Sequence, residues 1–267
     1  MDTPRLVIFD FDGTLFDTHA SIAHCISLTF SHISQSHPPS ASAIRSTVAT
    51  GVGLEETFQM LQNNHSSLLT SHNSSVNNIS NNPSLTNISS VDMSSWIDTY
   101  RSFYASEGLP LINPFPGADL LLRTLRQIGI PIVVVSNKGI KAVEAALRDA
   151  GVEELVEMVL GDMPGVPRKP NPKSYFEIIA PRFAIGEGKT YGGGDDEDKI
   201  GRTSELGLNK VLVVGDTAAD IQFAKNIGAV ACWARYGYGK KEECERLGPD
   251  FVVDSLEEVQ RLICRIQ

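Results

Sequence analysis

The chain has 267 residues, 42% of them hydrophobic and 21% charged, with a formal net charge of −9. That is enough apolar sequence for a globular protein with a sizeable core, in one large domain or two moderate ones. The excess of acid argues against a nucleic-acid groove or an anionic membrane surface as partner, and it stands as an objection to any anionic small molecule.

In chain order, the first residues, MDTPRLVIFD, carry no basic region followed by a long apolar stretch. No secretory signal is therefore expected, and no later segment approaches the ~18 apolar residues of a membrane span. Residues 5–10 (RLVIFD) are an apolar run that ends in Asp10 and is followed by Gly13, which predicts a short buried strand stopping at a turn. Residues 19–62 have helical composition in parts. Over residues 63–90, 17 of 28 positions are Asn or Ser. Such a tract cannot bury enough apolar surface to offset its ordering entropy, which predicts a disordered insertion. Its N-x-S triplets at Asn73, Asn78 and Asn87 follow from that composition and are not read as glycosylation sites.

From Pro114 the pattern becomes regular. Helices are predicted at 118–127, 141–150, 174–180, 221–227 and 256–266, and strands at 131–135, 156–160, 211–214, 230–233 and 251–253. Gly151 is a plausible helix stop. Residues 186–207 carry 6 acidic against 3 basic residues and read as a solvated loop insertion. Strands alternating with helices of this length argue for an α/β fold built on a doubly wound parallel sheet, Rossmann-like in its βαβ units. Cys25, Cys232, Cys244 and Cys264 have no CxxC spacing and no paired His, so reduced thiols are expected, not zinc ligands. A reducing, cytoplasmic setting fits them.

Three predicted strands end in polar residues suited to phosphate chemistry: Asp10-Phe11-Asp12-Gly13-Thr14, Ser136-Asn137-Lys138, and Gly215-Asp216-Thr217-Ala218-Ala219-Asp220. Doubly wound sheets bind ligands outside the carboxyl ends of their strands, so the fold itself would gather these loops. Lys169, in a loop stiffened and held extended by Pro170 and Pro172, is the fourth piece. Asp10, Asp12, Asp216 and Asp220 would together carry −4. Two like charges ~4 Å apart repel by about 4 kcal/mol at an effective dielectric near 20, so such a cluster needs a cation or a proton. All-oxygen donors suit Mg2+. Mg2+ and Lys169 bring the count to −1, and a proton on Asp12 brings it to zero. In such a set one carboxylate can attack phosphorus, one can shuttle a proton, and the others can hold the metal. Gly13 allows the tight turn that brings backbone N–H groups near phosphoryl oxygens.

The motifs DFDGTL at 10–15, Ser136 at a strand end, Lys169 in KPNP and GDTAAD at 215–220 resemble, in order and spacing, the four motifs of the haloacid dehalogenase-like hydrolases. The resemblance covers residues 5–18 and about 114–254. It implies a catalytic core made of residues 1–18 and 114–267, with a smaller helical cap at 19–113 that contains the Asn/Ser insertion. It implies that Asp10 is the nucleophile that becomes an aspartyl-phosphate. Asp12 would be the general acid/base, its backbone carbonyl also on Mg2+. Ser136 would bind a phosphoryl oxygen, Lys169 would neutralise phosphoryl charge, and Asp216 would bind the metal with Asp220 as a second metal or lysine partner. Gly13, Thr14 and Asn137 complete the implied phosphate-binding set. The dehalogenase branch looks different at the position of Asp12 and needs no Mg2+, so the resemblance favours a phosphatase acting on a small phosphomonoester.

Within the family, Ser136-Asn137-Lys138-Gly139, the YGYG loop at Tyr236 and the terminal DFVVDSLEEV look like the phosphoglycolate phosphatase-like branch. Arg45, followed by Gly51 and Gly53, resembles a cap segment and is a candidate for a substrate carboxylate, though a solvated helix arginine is the plainer reading. A sugar phosphatase, a 5'-nucleotidase or a phosphomutase of the same superfamily is the enzymatic alternative. A non-catalytic scaffold recruiting a partner through the Asn/Ser tract is the remote one. A monomer or homodimer is expected. Asp17 and Asp162 are read as structural, and the YGYG loop as either a turn or the lip of the site.

Overall fold

The computed structural model describes residues 3–34, 37–72, 93–183 and 210–264. The chain divides into two units, residues 1–18 with 113–267 and residues 19–112.

The first unit is built on a six-stranded sheet in the order β5-β4-β1-β6-β7-β8. The strands are β1 (Leu6–Phe9), β4 (Ile132–Gly139), β5 (Met158–Asp162), β6 (Val211–Gly215), β7 (Val230–Ala234) and β8 (Phe251–Val253), and every pairing is parallel. In β1, β6 and the first five residues of β4 successive side chains point to opposite faces, yet all are buried, because helices cover both sides. Leu6, Ile8, Val133, Val135, Val211, Val213 and Trp233 alternate onto one face and join a single core with Tyr175 and Phe223. That two-sided burial is why these strands read as continuous apolar runs.

The chain enters the sheet at its centre, runs outward through β4 and β5, then returns to the other side of β1 and runs outward through β6, β7 and β8. The loops leaving β1 and β6 therefore diverge, and their carboxyl ends form a switch point. A two-stranded antiparallel pair, β2 (Phe16–Asp17) with β3 (Asn113–Pro114), closes the core where the chain leaves it and re-enters it.

The helices follow the apolar spacing. In α5 (Ala118–Gln127) the buried residues are Ala118, Leu121, Leu122 and Leu125, and in α6 (Ile140–Asp149) they are Val143, Ala146 and Leu147. Gly151 follows α6 in the left-handed region at φ 67°, the helix stop expected from the sequence. The predicted helix at 174–180 is instead a wider π-helical stretch, Tyr175–Ile179, leading into the short α7 (Ala180–Arg182). Among the described residues, the further α-helices of this unit are α8 (Ala218–Asn226), α9 (Lys241–Leu247) and α10 (Leu256–Cys264). The sequence reading lacked α9. Of its residues KEECERL only Cys244 is buried, so it has no apolar stripe to detect.

The second unit is helical: α1 (His19–Ile33), α2 (Ala41–Val48), α3 (Leu54–His72) and α4 (Met93–Phe103). An aromatic cluster holds it together. The Trp96 ring lies edge-on to Phe30 at 4.8 Å and to Phe58 at 5.4 Å, and Tyr100 meets Phe58 at 5.8 Å. Helix α3 runs on to His72, so the first ten positions of the Asn/Ser tract, 63–72, are helical. The earlier turns of α3 bury Phe58 and Leu61. Helix formation is cooperative, and a nucleated helix extends into polar residues at little cost. Asn73, Asn78 and Asn87 and the acidic run at 186–207 lie outside the described residues. No disulfide joins Cys25, Cys232, Cys244 and Cys264.

Candidate active site

Asp10 is the first residue beyond β1. Its N–H donates to the Val214 carbonyl at 2.9 Å, which carries the β1–β6 ladder one step further and sets the side chain at the switch point. The chain then turns sharply. The Phe11 carbonyl accepts from the N–H groups of Leu15 (3.2 Å) and Phe16 (3.0 Å), and the two buried rings of Phe11 and Phe16 stack at 4.6 Å. Gly13 has φ 78°, and a Cβ there would lie 2.4 Å from Asp216 Oδ2. Both its backbone conformation and its close approach to the next carboxylate require glycine.

Asp216 follows β6 and is fully buried. Its Oδ2 accepts the Tyr238 N–H at 2.6 Å, its Oδ1 accepts the Thr14 hydroxyl at 3.3 Å, and its backbone carbonyl accepts the Trp233 indole N–H at 2.9 Å. Asp220, in the first turn of α8, divides its oxygens. Oδ2 accepts from the Thr217 N–H (2.9 Å) and hydroxyl (2.7 Å), capping the helix, and Oδ1 accepts from Lys169.

Lys169 Nζ donates to Asp10 Oδ1 and to Asp220 Oδ1, both at 2.6 Å, with only 4% of its side chain exposed. Its loop is not extended, as the prolines suggested. The Lys169–Pro170 bond is cis, and the Asn171 N–H donates back to the Arg168 carbonyl at 2.9 Å, closing a turn. Two side chains hold that turn. Asn137 donates to the Lys169 carbonyl (3.0 Å) and accepts the Lys169 N–H (2.9 Å), and Arg168 makes a two-pronged pair with Asp162 at 2.8 and 3.0 Å. Asp162 is thus structural, as read from the sequence.

One oxygen from each of Asp10, Asp216 and Asp220 lies within 4.8 Å of the others, all three residues buried. Burial, with Asp220 and Asp12 nearby and against the pull of Lys169, pushes the Asp10 carboxyl up to about 7. Burial, then Asp10 and Asp220, hold Asp216 well above the usual carboxylate range. Burial opposes the charge on Lys169, but Asp10 and Asp220 outweigh it and raise its pKa. Three buried carboxylates thus share one ammonium. An all-oxygen donor set short of positive charge fits a hard divalent cation.

Ser136 is buried in β4, and its Oγ accepts the Lys138 N–H at 3.2 Å. Lys138 Nζ donates to Asp12 Oδ1 at 3.1 Å, with 9% of the lysine side chain exposed. The sequence names Lys138 in its motif and gives it no role. The pairing of β4 is irregular between Val135 and Gly139, so no strand period signals which acid this lysine meets. Lys138 also changes the charge count. Two lysines and one divalent cation together carry +4, which matches the four aspartates.

Two candidates from the sequence have side chains bonded within the site. Thr14 is fully buried and its hydroxyl is bonded to Asp216, so its side chain orients a carboxylate. The Asn137 side chain is bonded to the Lys169 backbone and positions that lysine. Arg45 lies on α2 in the helical unit, exposed.

The YGYG loop proves to be a clamp on Asp216. The Tyr236 hydroxyl donates to the Thr14 carbonyl at 2.8 Å, and the Tyr238 hydroxyl donates to Asp17 at 2.7 Å while accepting the Thr18 N–H at 2.7 Å. A Cβ on Gly237 would lie 2.3 Å from Asp216 Cβ and 2.4 Å from the Gly13 carbonyl. Gly237→Ala therefore forces the two loops apart. Overpacking of this kind costs about 1–3 kcal/mol, so the melting temperature should fall by roughly 3–10 °C, together with turnover. An unchanged thermal melt would contradict the clamp.

Among the described residues, no helix is long and apolar enough to cross a membrane. The family described as haloacid dehalogenase-like hydrolases matches over residues 7–234. A phosphoglycolate phosphatase of Vibrio parahaemolyticus is 28% identical over 166 residues, which is 62% of this chain and 63% of that protein. The chain thus spans under two thirds of the length of the first relatives it matches. A phosphoglycolate phosphatase of Yersinia pestis is 24% identical over 252 residues, 93% of this chain and 88% of the relative. A crystal structure from Haemophilus somnus, described as a predicted phosphoglycolate phosphatase, has the same fold, with TM-score 0.76, 19% identity, and coverage of 98% of this chain and 99% of that one.

Proposed function

The chain belongs to the haloacid dehalogenase-like hydrolases, and from that premise we propose that it is a Mg2+-dependent phosphatase that hydrolyses a small phosphomonoester through an aspartyl-phosphate. The observation that carries this reading is the buried cluster at the β1–β6 edge, in which Lys169 bridges Asp10 and Asp220 at 2.6 Å beside Asp216.

Asp10, Asp216 and Asp220 would hold the metal, with the Asp12 carbonyl. Bound there, Mg2+ supplies positive charge against the transferring phosphoryl group. Asp10 attacks phosphorus, and the ester oxygen leaves with a proton from Asp12. Asp12 then takes a proton from water, which attacks the aspartyl-phosphate and frees Asp10. Ser136 donates its hydroxyl to a phosphoryl oxygen. Lys169 neutralises another, and its ammonium is already charged because two carboxylates hold it so.

The relatives named phosphoglycolate phosphatase support 2-phosphoglycolate as the first substrate to try. The test is phosphate release, with Mg2+, from a panel of 2-phosphoglycolate, sugar phosphates and nucleotides. Release from at least one ester is expected. No release from any of them overturns the phosphatase reading, and isomerisation without release would instead mark a phosphomutase.

A further inference from the structure

The cluster that neutralises the nucleophile does not account for the second lysine of the site, which is half-buried. Lys169 is committed to Asp10 and Asp220. Lys138 is on the other acid: its Nζ lies 3.1 Å from Asp12 Oδ1, its side chain is 9% exposed, and its own N–H is fixed on Ser136 Oγ at 3.2 Å. The geometry points to Lys138 as a specificity-determining residue that selects substrates whose leaving group carries its own negative charge close to the bridging oxygen.

Lys138 has this role only under the phosphatase reading, in which Asp12 is the proton donor to the leaving oxygen. A proton donor must lie within hydrogen-bond reach of the atom it protonates. Asp12 therefore marks the leaving-group side of the phosphoryl site, and an ammonium 3.1 Å from Asp12 stands on that same side. An ammonium carries three N–H donors, so a contact with Asp12 is compatible with one to a substrate anion. In a site this buried, charge pairs are screened far less than at the surface.

Local bonds hold the lysine in place. The pairing of β4 with β5 is irregular between Val135 and Gly139, and within that stretch the Lys138 N–H is fixed on Ser136 Oγ and its Nζ on Asp12. The reach is short, so the anion must be near the ester oxygen. In 2-phosphoglycolate the carboxyl carbon is the second carbon from that oxygen, and in pyrophosphate the leaving group is itself a phosphate. Both present the shared chemistry, an anionic leaving group. Ethyl phosphate has similar bulk and no such charge.

The experiment compares kcat/KM for 2-phosphoglycolate, pyrophosphate and ethyl phosphate in the wild-type chain, in Lys138→Met and in Lys138→Arg. The wild type should prefer at least one of the anionic leaving groups to ethyl phosphate. Lys138→Met should lose about 100-fold more on that substrate than on ethyl phosphate, with the difference falling mainly in KM. The anionic substrate that suffers this loss identifies its charge as carboxylate or phosphate. Lys138→Arg should keep part of the preference, and it stands as the test should Lys138→Met fail to fold.

Equal losses on all three substrates would overturn the proposal, because Lys138 would then act only through Asp12. So would a wild type with no preference for a charged leaving group. Absence of phosphate release from every ester by the wild-type chain is a different result: it overturns the phosphatase reading itself, and this inference with it.

Discussion

Asp10→Asn should abolish turnover while leaving the protein folded. The substitution keeps the shape of the side chain and an oxygen for Lys169 to bond, but an amide cannot form an acyl-phosphate. Loss of a nucleophile that no neighbour can replace typically costs at least about 10^4-fold in kcat. Asp220 and Asp216 cannot substitute. The first is bonded to Thr217 and Lys169, the second to Tyr238 and Thr14.

The fold should tolerate the change for an electrostatic reason. Burial pushes the Asp10 carboxyl up to about 7, so near neutral pH its charge is held in the native state at a cost. A neutral amide removes that cost and relieves repulsion on Asp216 and Asp220. The melting temperature of the metal-free variant near pH 7.5 should therefore equal or exceed that of the wild type. Phosphate-release assays and thermal melts on the same preparation check both halves. Retained turnover would remove Asp10 from the mechanism, whereas lost turnover with a collapsed melt would show only that the residue supports the fold.

The strands of the sheet were legible because parallel strands buried on both faces are written as uninterrupted apolar runs, as in LVIF of β1 and VLVV of β6. Asp10 and Asp216 were legible because each stands at the end of such a run, where this architecture collects functional groups, and Asp12 and Asp220 follow them within the same motifs. What escaped the sequence depends on contacts between distant segments. Thr14 looks like a phosphate ligand in its motif, but the path of the chain after β6 brings Asp216 to its hydroxyl. YGYG could be a turn or a lip until Gly237 is seen against the Asp216 side chain, from which any larger residue would be excluded. Helix α9 is mostly charged and buries one cysteine, so no periodicity announces it. The charge count shows the same limit. Sequence supplied four aspartates and one lysine, and only the fold brings Lys138 to Asp12.

Removing the divalent cation should abolish turnover as completely as Asp10→Asn, and Mg2+ should restore it. Metal binding at the three carboxylates also reads out in stability, without activity. Asp10 is raised from 3.8 to about 7, and Asp216 is also raised, both chiefly by burial. A carboxyl whose pKa is higher folded than unfolded binds more protons in the native state over that interval. It therefore stabilises the fold at low pH and loses that contribution as pH rises through the folded value. The metal-free protein should become less stable between about pH 4 and about pH 7 for this reason.

A cation that binds the three carboxylates takes the place of those protons, so it binds the native state best where they have left. At ~100 times its dissociation constant, a ligand specific for the native state contributes about 2.7 kcal/mol, which for a protein of this size corresponds to roughly 5–10 °C in melting temperature. The gain on adding Mg2+ should be largest near pH 8 and should shrink towards about pH 5, where proton and metal compete for the same oxygens. Equal gains at both pH values would place the bound Mg2+ elsewhere on the acidic surface. No gain at either, with turnover intact in the presence of a chelator, would mean that the three carboxylates are not a metal site and that turnover needs no divalent cation.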